Sequence, residues 1–190
     1  MEEQLLLLDT DIVSLLGSRR PPPGLQCWLL EVGLDRLAIG FPVITELMRG
    51  AYLIQARNPE KAAAIRRWIM KIMSEDFAIP SMGPDVAELY AQMTAIPSLR
   101  HMWTADRSSR HSRLGHDLML ASLAIVHRAP IITANPRDYV KIDQWFELPG
   151  VYHPIEERWY VQADRHVFLP PFEVEMTTAE RTFLPRILID

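Results

Sequence analysis

The sequence contains a single cysteine, Cys27. One thiol excludes an internal disulfide and fits a reducing compartment. No cysteine or further histidine stands at zinc-site spacing from His111 and His116, so both read as solvated polar residues. No apolar run is long enough to cross a membrane. The opening Met1-Glu2-Glu3-Gln4 lacks the basic start of a secretory signal. No internal repeat or low-complexity tract is evident. The expectation from these absences is a soluble, cytoplasmic protein.

Net charge is also scarce. The formal value of -4 is mildly acidic and argues against a general nucleic-acid binder. Four acids neutralised in a metal site would bring that sum to zero. The 190 residues, 48% of them hydrophobic, suffice for one domain with a sizeable core.

The most informative stretch is Leu5-Leu6-Leu7-Leu8-Asp9-Thr10-Asp11-Ile12-Val13. A short apolar run that ends in a polar turn suits a strand buried on both faces of a parallel sheet. Asp9 then falls at the carboxyl end of that strand, where open α/β sheets place their ligands. Thr10 or Asp11 is expected to cap the helix that follows. Read alone, Asp9 is equally a turn residue.

Further along, helices are expected over 25–34 and 44–57, with a short strand over 37–41 between them. Glu46 lies in the first turn of the second helix, where a lone acid is ordinarily there for the helix dipole. Asn58-Pro59 opens another helix, 77–80 suits a strand, and Pro84-Asp85 opens the next helix. The segment 100–116 holds Arg100, Arg107, Arg110 and Arg113 against Asp106, a formal +3, and reads mostly as loop. Asp117 stands in the first turn of an apolar helix over 116–127, with Ala121 and Ala124 on one face for close approach to the sheet. Pro130-Ile131-Ile132-Thr133 is the next buried strand, and it empties into Ala134-Asn135-Pro136-Arg137-Asp138-Tyr139. An edge strand over 142–146 and a close at Pro149-Gly150 complete the domain.

Short apolar strands alternating with helices argue for an α/β fold with a parallel sheet. Asp9, Glu46, Asp117 and Asn135 or Asp138 each have an ordinary explanation. Together they fall where one edge of one sheet would gather them. Crowded carboxylates raise one another's pKa unless a cation intervenes. Oxygen ligands without soft partners select Mg²⁺ or Mn²⁺. Such an ion supports phosphodiester hydrolysis by acidifying the attacking water and steadying the leaving oxygen. Arg107, Arg110 and Arg113 would then guide a polyanion to the site.

The runs Leu7-Leu8-Asp9-Thr10-Asp11-Ile12-Val13-Ser14, Ile44-Thr45-Glu46-Leu47-Met48-Arg49-Gly50, Asp117-Leu118-Met119-Leu120-Ala121-Ser122-Leu123-Ala124 and Ile132-Thr133-Ala134-Asn135-Pro136-Arg137-Asp138-Tyr139 resemble the motifs of PIN-domain ribonucleases. The nearest subgroup is the VapC-type toxins of bacterial toxin–antitoxin pairs, and the resemblance covers about residues 5 to 150. It implies a PIN-like fold, a central parallel sheet flanked by helices, for a nuclease domain at 1–150. It also implies a Mg²⁺- or Mn²⁺-dependent endoribonuclease acting as a toxin. Asp9 and Asp117 would ligate the metal, Glu46 would bind it directly or through water, and Asp138 or Asn135 would complete the site, with Asp138 the choice for its charge. Thr10 and Thr133 would hold the first carboxylate, and Asp11 would support it. RNA is the implied substrate, a homodimer the implied assembly, and a cognate antitoxin the implied partner. The family commonly has Arg where Ala134 stands, and Asp or Asn at the place of Asn135.

The chain continues about 40 residues past the family's usual end. Residues 151–190 hold seven acids, four arginines and several aromatics, a formal -3. So many aromatics argue against disorder and for docking on the domain or on a partner. Thr177-Thr178-Ala179-Glu180 resembles a capping box. Two other readings compete. A haloacid-dehalogenase-like phosphatase would use Asp9 as nucleophile and Asp11 as general acid, but would leave Glu46 and Asp117 unexplained. A non-catalytic PIN-like module would only bind RNA or protein.

Overall fold

In the computed structural model, residues 4–18, 21–104 and 115–172 are described. Strand β1 (Leu6–Leu8) leads into helix α1 (Thr10–Leu16), and α2 (Leu25–Val32) follows. Strand β2 (Leu37–Ile39) then leads into α3 (Phe41–Gln55), which packs on α4 (Pro59–Met73). Helices α5 (Pro84–Ala95) and α6 (His116–His127) precede β3 (Ile131–Ile132), α7 (Arg137–Asp143), β4 (Val151–His153) and β5 (Arg158–Val161).

The sheet order is β2-β1-β3-β4-β5, parallel except for the last pair. Leu6, Leu7 and Leu8 are fully buried, as are Ile131 and Ile132 beside them. Covering both faces of these strands with helices is what makes an uninterrupted apolar run the right sequence for them. The chain leaves β1 toward β2 on one side and leaves β3 toward β4 on the other. Adjacent strands whose outgoing connections diverge open a crevice at their carboxyl ends. Asp9 and Thr133 sit at that crevice.

Helix α6 reaches the sheet closely enough that a Cβ on Gly40 would stand 2.7 Å from Leu123 Cδ2. Leu118, Leu120, Ala121, Leu123 and Ala124 are buried on it. Ser122 remains satisfied there by donating to the Leu118 carbonyl at 2.8 Å. Gly115 caps α6 at φ +68°, where a side chain would also strike the Tyr90 hydroxyl at 2.7 Å. The entry angle of the helix that carries Asp117 therefore depends on a glycine.

Several expectations are corrected. Helix α3 begins at Phe41 rather than 44, because Pro42 fits the first turn where no amide hydrogen is needed. Glu46 is consequently in the second turn, not the first. Asp9, rather than Thr10 or Asp11, caps α1. The strand expected over 77–80 is a single parallel bridge, Ala78 with Ala38. The edge strand expected over 142–146 is absent, since that stretch ends α7 and turns. Tyr139 and Ile142 are buried three residues apart, a helical spacing. The 3₁₀ turn Pro97–Met102 occupies the start of the expected loop. Arg107, Arg110, Arg113 and the run at 177–180 lie outside the described residues.

The boundary expected at residue 150 falls inside the sheet. Val151 is fully buried, Tyr152 and His153 nearly so, and β4 completes the parallel set. Beyond β5 the chain returns across α2, where the Trp28 indole donates to the Pro170 carbonyl at 2.9 Å and Arg36 to that of Phe168 at 3.1 Å. The Phe172 amide donates to Glu157 at 2.8 Å.

Candidate active site

Asp9 is the centre of the crevice. Its backbone is extended (φ -80°, ψ 160°) as the chain leaves β1, and this turns its side chain back over the start of α1. Oδ1 accepts the Thr10 amide hydrogen at 2.6 Å, and Oδ2 accepts the Thr133 hydroxyl at 2.8 Å. Thr133 directly follows β3 and is itself fully buried. Burial pushes the Asp9 carboxyl well above its ordinary value, and the charges of Asp11 and Asp117 push it further, against the two hydrogen bonds.

Asp11, one residue into α1, faces the same crevice. Its Oδ2 accepts the Ala134 amide at 2.9 Å and lies 3.2 Å from the Thr133 hydroxyl. That hydroxyl has one proton, and the shorter distance assigns it to Asp9. Thr133 Oγ1 in turn accepts the Asn135 amide hydrogen at 3.0 Å, which fixes its orientation. Asp11 Oδ1 is buried and has no hydrogen-bond partner among the described residues. Burial raises the Asp11 carboxyl, opposed by hydrogen bonds and by nearby His153.

Glu46 reaches the crevice from α3. Its Oε2 accepts the Thr10 hydroxyl at 2.8 Å and stands 3.2 Å from His116 Nδ1. The His116 contact is the main reason its carboxyl is held below the ordinary range, ahead of the opposing effect of burial. Asp117, half-buried in the first turn of α6, acts electrostatically on Asp9 and on Tyr139. Asp138 opens α7 and pairs with Lys141 at 2.7 Å. Charges that act on Asp9 include those of Asp11 and Asp117.

Three participants escaped the sequence reading. His116, which reads from sequence as solvated, pairs with Glu46. His153 is buried at the end of β4 and accepts the Glu156 amide on Nδ1 at 3.1 Å, which leaves its proton on Nε2. The Tyr139 hydroxyl is buried against Asp9. Only Tyr139 had a readable signal, its place at helical spacing from Ile142.

Among the described residues no three carboxylate, imidazole or thiol groups already stand at ligating distance from one point. Without a cation between them, like charges turn to their hydrogen-bond donors instead. The donor set nevertheless fits a hard divalent ion. It is all oxygen, it includes a buried carboxylate whose neighbours raise its pKa, and it includes the orphaned Asp11 Oδ1.

No family model and no curated protein matches the sequence. Solved structures do match the fold. FitAcB from Neisseria gonorrhoeae is 20% identical, with TM-score 0.52, over 73% of this chain and 94% of that one. VapBC2 from Rickettsia felis, bound to a promoter DNA fragment, is 19% identical, with TM-score 0.51, over 72% and 92%. VapBC-1 from nontypeable Haemophilus influenzae is 19% identical, with TM-score 0.51, over 74% and 93%. At these identities the likeness is one of fold. The chain has the PIN-like α/β fold that its motifs imply.

Proposed function

We propose that this protein is a Mg²⁺- or Mn²⁺-dependent endoribonuclease that serves as the toxin of a toxin–antitoxin pair. The observation that carries the reading is the buried Asp9, crowded by Asp11 and Asp117 at the carboxyl ends of β1 and β3. Burying repelling carboxylates without compensation is costly, and a divalent cation removes the cost.

Asp9 and Asp117 would hold the metal, with Glu46 as a further ligand or as a holder of bound water. The fourth place we assign to Asp11 rather than Asp138. In support, Asp11 has a buried unpartnered oxygen whereas Asp138 is engaged by Lys141. The ion would supply a Lewis acid for a phosphate oxygen and lower the pKa of a bound water. The chain's own residues do the positioning. Thr10 links two acids, its amide holding Asp9 and its hydroxyl holding Glu46. Thr133 keeps Asp9 fixed from the β3 side, and Asn135 keeps Thr133 fixed.

RNA as substrate, a homodimer and a silencing antitoxin are carried by the motif resemblance. Support for a protein partner is the exposed apolar side of α3, where Tyr52 and Leu53 keep 60% and 62% of their surface. Among the described residues no helix is long and apolar enough to cross a membrane.

The test is an assay on unstructured RNA and on a small phosphate monoester, with and without Mn²⁺. Metal-dependent RNA cleavage that Asp117→Asn abolishes supports the reading. Phosphate release from the monoester alone would favour the phosphatase chemistry of Asp9 and Asp11. RNA binding without cleavage by the metal-loaded protein would make it a binding module.

A further inference from the structure

The fold braces an aromatic ring beside the start of α6. Trp103 directly follows the 3₁₀ turn Pro97–Met102, in which Leu99 and Met102 are buried and belong to the core. The Arg100 carbonyl accepts the Trp103 amide at 3.3 Å, the Thr104 amide at 3.1 Å and the Thr104 hydroxyl at 2.8 Å. The helix that carries Asp117 begins against it: a Cβ on Gly115 would stand 3.0 Å from Trp103 Cβ. Gly115 precedes Asp117 by two residues, about 3 Å of rise along a helix. So fixed, the indole still keeps 38% of its surface exposed.

Single exposed apolar residues are ordinary. Trp145 is one, 52% exposed in the connection from α7 to the start of β4, at the opposite edge of the sheet from the crevice. What distinguishes Trp103 is its company. Arg100 is exposed one 3₁₀ turn earlier, and side chains three apart in such a turn nearly eclipse. On the other side the chain leads within two residues of Gly115 to the acid that crowds Asp9. A ring and a guanidinium side by side suit an unpaired nucleotide. Every base offers a flat face for stacking, and the cation takes the backbone phosphate. A duplex keeps those faces covered.

We propose that Trp103 is a positioning residue that stacks on one base of a single-stranded RNA, with Arg100 on an adjoining phosphate. This rests on the ribonuclease reading above. The strand held there passes beside Asp117, and binding energy gained away from the reacting phosphate keeps that phosphate in place. The arrangement also sets a preference. It favours unpaired RNA over duplex without choosing a base sequence, because all four bases stack.

The experiment is fluorescence anisotropy of a labelled single-stranded oligoribonucleotide, and of the same strand in a duplex, titrated with the full chain. Asp117→Asn serves as the background, so that bound RNA is not cut. Added to it are Trp103→Leu, which keeps apolar bulk without a ring, Trp103→Tyr, which keeps a ring, Arg100→Ala and Trp145→Ala. Trp103→Leu should weaken single-strand binding by about fivefold or more and duplex binding by less than about twofold. Trp103→Tyr should recover most of that loss, and Trp145→Ala should bind like the background. Arg100→Ala, at an exposed position, should lower the log–log salt slope by about 0.7. No loss in Trp103→Leu, an equal loss on duplex, or an equal loss in Trp103→Tyr would overturn the role of Trp103. An unchanged salt slope in Arg100→Ala would overturn the phosphate contact, and it reads independently of how well the Trp103 variants fold. Metal-dependent cleavage by the unmodified chain is scored separately. Cleavage with binding indifferent to Trp103→Leu would leave the ribonuclease reading standing and this inference overturned. A chain that neither cuts nor binds single-stranded RNA would overturn both.

Discussion

Replacing Asp9 by asparagine should separate the fold from the metal site. Asparagine keeps an oxygen for the Thr10 amide at 2.6 Å and turns its NH₂ toward Thr133. The Thr133 hydroxyl accepts that NH₂ and gives its own proton to Asp11, 3.2 Å away. Hydrogen bonding is thus conserved while the charge that repels Asp11 and Asp117 disappears. The sign of the pH effect follows from the raised carboxyl. Folded Asp9 keeps its proton to higher pH than the unfolded chain, whose ordinary value is 3.8. Stability of the metal-free parent is unaffected below that value, falls as pH climbs from there through the raised folded value, and stays reduced above it. Asp9→Asn lacks this loss, so at pH 7.5 and without metal it should melt no lower than the parent. Metal reverses the order. Saturating the parent at a hundredfold excess over Kd adds about 2.7 kcal/mol. At about 2–4 °C per kcal/mol for a chain of this size, Tm rises by roughly 5–11 °C. Asp9→Asn should show little of that rise. Melting curves with EDTA and with Mn²⁺ measure all four states. A parent indifferent to metal, or an Asn variant that gains as much as the parent, would refute the reasoning.

Three further outcomes follow from the same contacts. Thr133→Val preserves shape but strips Asp9 of a hydrogen bond and leaves the Asn135 amide unpaired; urea unfolding should show a loss of about 1–3 kcal/mol. His116→Ala removes the main group that holds Glu46 low, so the Glu46 carboxyl should titrate at higher pH by carboxyl-detected NMR. Asp11→Asn should weaken Mn²⁺ binding by about tenfold or more, and Asp138→Asn, which breaks the Lys141 pair, by no more than about twofold; the opposite order would restore Asp138 to the site.

The parallel core was legible because its code is crude. Leu6 to Leu8 and Ile131-Ile132 are buried on both faces, and an apolar run bounded by a turn has few other destinations. Asp9 and Thr133 were legible for the same reason, as the first polar residues after such runs. Helix α7 was not. It has seven residues and only Tyr139 and Ile142 buried, too few repeats to separate a helical from an extended period. His116 and His153 were hidden by tertiary structure. Their roles depend on α3 meeting α6 and on β4 pairing with β3, contacts across 70 residues in the first case. The strand β4 itself was obscured by its place beyond Pro149-Gly150, where a turn reads as a domain end.

The central claim is that Asp9 and Asp117 form a cation site at the carboxyl ends of β1 and β3. Crystals soaked in Mn²⁺ and measured for anomalous scattering test it most directly. The account predicts a peak ligated by both carboxylates and lost in crystals of Asp117→Asn. A peak elsewhere with this crevice empty, in crystals where both carboxylates are ordered, would contradict it.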